Sequence, residues 1–351
     1  MPLDYIVIPN ILKMKSNVDF IPHFSLGPNL YEDSENDSSM EYPIQIGFNL
    51  AGHLVRPPKI DKTMFPFSVG EDVVFYEHPI SKIFRVQAAI SNVLKTPQVF
   101  ANREFYYLIR NSVGNLTRVG ELCTNVVWAK LAMNQMNLIH SSCVTHFNDG
   151  VIISGPSGTG KTLLAYTALK HGFRMVSEDI TVIDQEKAYS CPFTQSYLNE
   201  AHFIDELYKN RRIDTLTYLK LRFAKRGFAL PFFSESTFRP RNVTFTDDFQ
   251  LNTKIKAICL LELKGGGSSF RSLDKEETIR RMLLLNRLEF RYFQNTFLAI
   301  YSLHNADFQY QRLICQSDDV ITKLVEKAEC FLLRSRSPLE YTNLLLKMFS
   351  K

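Results

Sequence analysis

Val151-Ile152-Ile153-Ser154-Gly155-Pro156-Ser157-Gly158-Thr159-Gly160-Lys161-Thr162-Leu163-Leu164 is the stretch around which the rest of the chain is organised. Val151 to Ser154 carry β-branched or small side chains suited to a buried strand. Gly155 to Thr162 fits the pattern G-x-x-x-x-G-K-[ST]. Leu163, Leu164, Ala165, Tyr166, Ala168 and Leu169 then read as a helix. Strand, glycine-rich loop and helix, in that order, form the context in which this pattern is a phosphate-binding loop. Gly155, Gly158 and Gly160 permit backbone angles that a Cβ resists, and a close approach to a polyphosphate. Successive N–H groups then converge on one concavity, and the helix adds its positive N-terminal end. Lys161 supplies a cation for the β- and γ-phosphates, and the Thr162 hydroxyl a ligand for Mg²⁺. The residues expected to hold a nucleotide are therefore Gly155, Pro156, Ser157, Gly158, Thr159, Gly160, Lys161 and Thr162. The plain alternative is a glycine turn between a strand and a helix. Against it, five of the chain's 15 Gly fall between Gly150 and Gly172.

The surroundings of the loop carry further chemistry. Ile139 to Asp149 alternates like a strand, and Asn148-Asp149-Gly150 is a hairpin turn signal leading into Val151. His140 thus opens one strand of a hairpin whose other strand delivers the loop. From position alone a lone histidine is more often structural or exposed than functional. The helix after the loop ends at His171-Gly172, where Gly is a natural cap. Phe173 to Ser177 is a strand with Glu178-Asp179 at its tip, and Ile180 to Ile183 resumes β character. Two acids there can hold Mg²⁺ and accept a proton from an attacking hydroxyl. Exposed turn acids are the simpler reading.

Bulk properties set the outer bounds. A chain of 351 residues with 45% hydrophobic and 22% charged residues is globular, in one large domain or two. A net charge of +5 argues neither for nor against a nucleic-acid partner, and the expectation carried forward is none. Six scattered Cys without a C-x-x-C pair read as reduced residues of a cytoplasmic protein. The N-terminus lacks a signal-peptide pattern, and no apolar run approaches the ~20 residues of a membrane span. A homo-oligomer is allowed.

Residues His140 to Val144, Asp149 to Thr162, Leu169, Gly172 and Val176 to Asp179, taken together, resemble the catalytic core of the HPr kinase/phosphorylase family, and most closely its wider group of serine kinases. That family shares a fold with ATP-type phosphoenolpyruvate carboxykinases. The resemblance covers about 45 residues. It implies an α/β (α+β) P-loop kinase core over residues 116–351; the β-rich region over 1–115 is read from its own alternating stretches and does not carry the resemblance. It implies ATP and Mg²⁺, with Thr162, Glu178 and Asp179 as metal ligands. Asp179, Lys161 and His140 would be the catalytic residues, Asp179 being the base. Two departures stand out. Glu occupies position 178 where the family has Asp, and no Gly-rich segment ending near an Arg follows the acid pair.

The remaining chain is less informative. Residues 1–30 show no clear period, and Glu32 to Ser39 is an acidic polar run. Tyr42 to Arg110 alternates in short β-like stretches, and Val119 to Leu138 has helical spacing with Trp128 as a packing residue. Lys209 to Arg226 is a basic stretch, read as a solvated helix face or a docking surface, and Arg239-Pro240-Arg241 could supply a cation to the transferring phosphoryl group. Ile255 to Leu263 and Ser269 to Leu273 read as strands, and Asp274 with Glu277 as a capping box for a helix to Arg287. Leu298 to Leu303 reads as a late strand, and Val320 to Leu333 and Leu339 to Phe349 as helices. A kinase acting on a hydroxyl, serine foremost, of a protein, peptide or small molecule is the leading expectation. A nucleotide-binding regulatory protein without transfer activity is the alternative. The chain has no N-K-x-D for guanine and no L-S-G-G-Q, which disfavours GTPases and ABC-type ATPases.

Overall fold

The computed structural model describes residues 3–18, 21, 24, 26, 42–54, 62–64, 66–81, 85–108, 118–191, 201–225, 249–265, 267–290 and 292–349. The acidic run 32–39 and Arg239-Pro240-Arg241 lie outside them. The chain divides into two compact units, Met1–Asn137 with Arg287–Val320, and Leu138–Asn286 with Ile321–Lys351. Each holds a mixed sheet, so the architecture is mixed α/β. Val119–Met133 packs on the first sheet.

The strands of the first unit are β1 (Leu3–Ile8), β2 (Leu12–Ser16), β3 (Ile44–Ala51), β4 (Lys62–Met64), β5 (Phe67–Gly70), β6 (Val73–Pro79), β7 (Arg85–Ser91) and β8 (Gln98–Asn102). They lie in the order β1-β2-β3-β8-β7-β6-β5-β4. Only the β2–β3 and β3–β8 pairs are parallel. Within β2, Leu12 and Met14 are buried while Lys13 and Lys15 point the other way, a two-residue period too short to stand out in residues 1–30. Asn102 ends β8 and starts α1 (Arg103–Leu108), its side-chain oxygen accepting from the Phe105 N–H at 2.9 Å. Helix α2 (Val119–Met133) is buried almost throughout. Trp128 stacks on Tyr292 at 4.2 Å and donates to the Ser317 hydroxyl at 3.0 Å, a packing role. The returning segment carries α7 (Thr296–His304) and begins α8 (Tyr310–Lys327). The strand expected over Leu298–Leu303 is therefore part of a helix. Asn295 caps it by accepting from the Leu298 N–H at 2.9 Å.

The second unit contains β9 (Asn137–His146), β10 (Asp149–Ser154), β11 (Arg174–Ser177), β12 (Ile180–Ile183), β13 (Lys187–Tyr189), β14 (Asn252–Leu263), β15 (Ser269–Ser272) and β16 (Glu329–Ser335). Its helices are α3 (Lys161–Leu169), α4 (Ala201–Lys209), α5 (Thr215–Lys225), α6 (Lys275–Glu289) and α9 (Tyr341–Phe349). At the centre β10, β14 and β16 run parallel. Antiparallel β9 flanks β10, and antiparallel β15 flanks β16. Val151, Ile153, Leu164, Ala165, Met175, Cys259, Leu261, Leu333, Leu344 and Leu345 form one buried core between this sheet and the helices on it. Each large member contributes roughly 1.5–3 kcal/mol on burial. Half of the expected capping box is present: the Asp274 carboxylate accepts from the Glu277 N–H at 2.7 Å, while the Glu277 carboxylate pairs with Arg281. The helix expected over Val320–Leu333 is corrected. It ends at Lys327, and residues 329–335 become β16, whose apolar Cys330, Leu332 and Leu333 fill the place beside β14.

Candidate functional site

Register brings the site together. The β9–β10 hairpin turns on Phe147 and Asn148, with φ of 48° and 69°, so that His146 pairs with Asp149 and Ser141 with Ser154. The turn lies one residue earlier than the Asn-Asp-Gly signal suggests. Gly150 serves a different purpose: a Cβ there would stand 2.5 Å from the Thr253 methyl and 2.8 Å from the Lys254 carbonyl, so glycine admits β14. A turn centred on Asn148-Asp149 would have set Ser154 against Cys143. The actual register leaves His140 one residue beyond the last pair, beside the start of the loop. The Ser154 hydroxyl donates to the His140 carbonyl at 3.2 Å.

Residues 155–160 leave β10 as a tight loop and enter α3 at Lys161. Gly158 and Gly160 have φ of 80° and 95°, the left-handed region that glycine occupies without strain. At Gly155 a Cβ would lie 2.9 Å from the Thr159 hydroxyl and 3.1 Å from the Leu261 carbonyl. At Gly160 it would lie 2.5 Å from the Pro338 Cβ. Thr159 closes the loop by donating its hydroxyl to the Pro156 carbonyl at 2.7 Å. Lys161 is 5% exposed. Its ammonium donates to the Gly155 carbonyl at 2.9 Å and to the Pro156 carbonyl at 3.4 Å, so the cation folds back over the loop that precedes it. Thr162 lies in the first turn of α3, half-buried. The loop thus stands at the carboxyl ends of the parallel strands, the edge where open α/β sheets place ligands.

The acid pair arrives on the other edge of β9. Arg174, Met175 and Ser177 of β11 pair with Thr145, Val144 and Cys143. At the following turn the Ser141 N–H donates to the Asp179 carbonyl at 3.0 Å, and the Ser142 hydroxyl to that of Glu178. Beneath it the Ser141, Ser177 and Thr181 hydroxyls form a buried cluster, with Thr181 at 2.8 Å from Ser141 and 2.5 Å from Ser177. This cluster fixes the turn that carries Glu178 and Asp179. His140 and Asp179 meet there, Nδ1 to Oδ1 at 3.8 Å. The Asp179 side chain is 30% exposed and Glu178 is buried. Asp179 is therefore the acid that faces solvent. Cys191, bridged to Ser177, is pushed up to about 12, first by burial and then by the Asp179 charge.

The structure brings Lys161, Thr162, His140 and Asp179, each singled out from the sequence, to one end of one sheet. The sequence reading misses the C-terminal wall of that end. Pro338 sits on Gly160, and the Thr167 and Thr342 hydroxyls meet at 2.6 Å. The apolar run Cys330 to Leu333 was the available signal, hidden by reading it as helix. Among the described residues no three His, Cys, Asp or Glu side chains cluster as a preformed metal site, and no helix is long and apolar enough to cross a membrane. All six cysteines are free thiols.

No protein-family model matches the chain. Part of it is similar to the HPr kinase/phosphorylase of Bacillus mycoides (strain KBAB4), at 35% identity over 86 residues. Similarity of the same extent links it to the HPr kinase/phosphorylases of Bacillus cereus (strain B4264) and Bacillus anthracis (strain A0248). The stretch covers 24% of this chain and 27% of each relative. The likeness is thus partial and distant, and it is with a family of kinases.

Proposed function

We propose that the protein is an ATP-dependent kinase that moves the γ-phosphoryl group to a hydroxyl, serine foremost, of a protein, peptide or small molecule. The observation that carries this reading is the meeting of Asp179 and His140 at the end of the sheet from which the glycine-rich loop leaves. Gly155 to Thr162 would cradle the phosphates with backbone N–H groups. Lys161 would exchange its two carbonyl partners for phosphate oxygens. Asp179 would take the acceptor's proton as the hydroxyl oxygen bonds to the γ-phosphorus and the bond to the β–γ bridging oxygen breaks, releasing ADP. His140 would hold the Asp179 carboxylate in place. Thr162 with Glu178 and Asp179 is an all-oxygen set suited to Mg²⁺, which usually takes few protein ligands beside water and phosphate. When bound, the ion would neutralise phosphate charge.

The alternative, a nucleotide-binding regulator, draws on the buried Glu178 where the related family has Asp. Labelled ATP with Mg²⁺ and candidate acceptors separates the two. Under the kinase reading label reaches an acceptor, Lys161→Ala loses both binding and transfer, and Asp179→Asn binds ATP but transfers on the order of a thousandfold more slowly. Tight ATP binding with transfer to no acceptor sinks the kinase reading in favour of the regulator.

A further inference from the structure

The parallel strands align Ser154, Leu260 and Leu332 on one line across the sheet. Beyond that line β10 continues into the glycine-rich loop, and β16 continues into Ser335, Arg336, Ser337 and Pro338. Both segments leave the same edge. They touch where Pro338 lies against Gly160. The β16 segment is held firmly. The Lys264 N–H donates to the Ser335 carbonyl at 3.0 Å, and the Ser335 hydroxyl to the Ser337 carbonyl at 2.9 Å. The Glu340 carboxylate accepts from the hydroxyls of Ser268 and Ser335.

Two arginines lie on this path, with different surroundings. Arg334 is engaged by Glu262 at 2.9 Å. Arg336 is exposed, two residues before the proline that packs on the loop. Its charge acts on Glu340 only after the two serine hydroxyls, both of which engage one oxygen of that carboxylate. The turn that carries this guanidinium is held by the Ser335 hydrogen bonds and by the packing of Pro338 on Gly160.

We propose that Arg336 is a phosphate-contacting residue of the nucleotide site, supplying from the C-terminal wall a second cation beside Lys161. This rests on the binding half of the kinase reading. Arginine suits the task because its planar fork matches two phosphate oxygens at once. Titration calorimetry with MgATP and with inorganic tripolyphosphate tests it. Arg336→Ala is expected to weaken both ligands about tenfold, the effect of losing one charge-assisted contact. Its melting temperature should stay that of the wild type, and Arg336→Lys should recover part of the affinity. Lys256→Ala removes a charge at the far end of β10, beside Asp149, and should change nothing. Wild-type affinity in Arg336→Ala, with binding lost in Lys161→Ala, overturns the assignment and leaves the loop reading intact. An equal fall in Lys256→Ala, or a fall for MgATP alone, also overturns it. A wild-type protein that binds neither ligand overturns the nucleotide reading itself.

Discussion

Among the described residues each unit of this protein buries one lysine, and the two are instructive side by side. Lys130 in α2 of the first unit is 8% exposed; Lys161 at the start of α3 in the second is 5% exposed. Each ammonium group donates to two backbone carbonyls. Lys130 donates to Leu94 at 3.1 Å and Lys95 at 2.9 Å, and Lys161 to Gly155 and Pro156. What surrounds them differs. The carbonyls on Lys130 belong to a turn between two strands of a sheet, and burial pulls its pKa down. Those on Lys161 belong to a loop with two left-handed glycines at a helix N-terminus, with Asp179 and His140 at the same sheet end. A buried cation satisfied by carbonyls is a structural device. It becomes a candidate for chemistry when backbone N–H groups surround it and an anion can displace the carbonyls.

That contrast can be broken or sharpened by experiment. Lys161→Ala is expected to abolish MgATP binding, a loss on the order of a thousandfold or about 4 kcal/mol for a charged donor to two phosphates; retained binding would make Lys161 a second Lys130. Gly160→Ala comes next, at about 3 kcal/mol of lost stability, since it adds both left-handed strain and the 2.5 Å overlap with Pro338. Lys130→Met should cost about 2 kcal/mol in denaturant unfolding while leaving nucleotide affinity untouched, because the Leu94 and Lys95 carbonyls lose their donor. Gly158→Ala should cost only about 1 kcal/mol: its φ is 80° but nothing lies within 4 Å of the added Cβ. If it costs as much as Gly160→Ala, the wall at Pro338 is not rigid.

The smallest effect is one of pH. Hydrogen bonds from Ser268 and Ser335 hold the Glu340 carboxyl below its ordinary 4.5. The unfolded chain then binds the proton more readily than the folded one, so this contribution is present above the ordinary value and fades as pH falls through the lower folded value. Unfolding midpoints of wild type and Glu340→Gln should therefore differ at neutral pH and converge on acidification.

The sequence by itself determined the loop and its immediate frame. The glycines, Lys161-Thr162, the strand before, the helix ending at Gly172 and the acid tip after Ser177 are all written in local pattern, and local pattern suffices because each signal acts within a turn or two. Two helix starts run against local preference, at asparagine caps set among strand-like residues. At Asn102 and Asn295 a single side-chain oxygen on a backbone N–H redirects the chain, against the β-preferring residues beside it. Only tertiary structure decided the rest. Nothing local marks residues 329–335 as a strand, since the same apolar residues suit a buried helix until β14 offers its edge. The hairpin register, which places His140 beside the loop, was settled by Gly150 yielding to β14 rather than forming the turn. Long-range pairing chose the faces and ends of the elements, and so chose which side chains share a site.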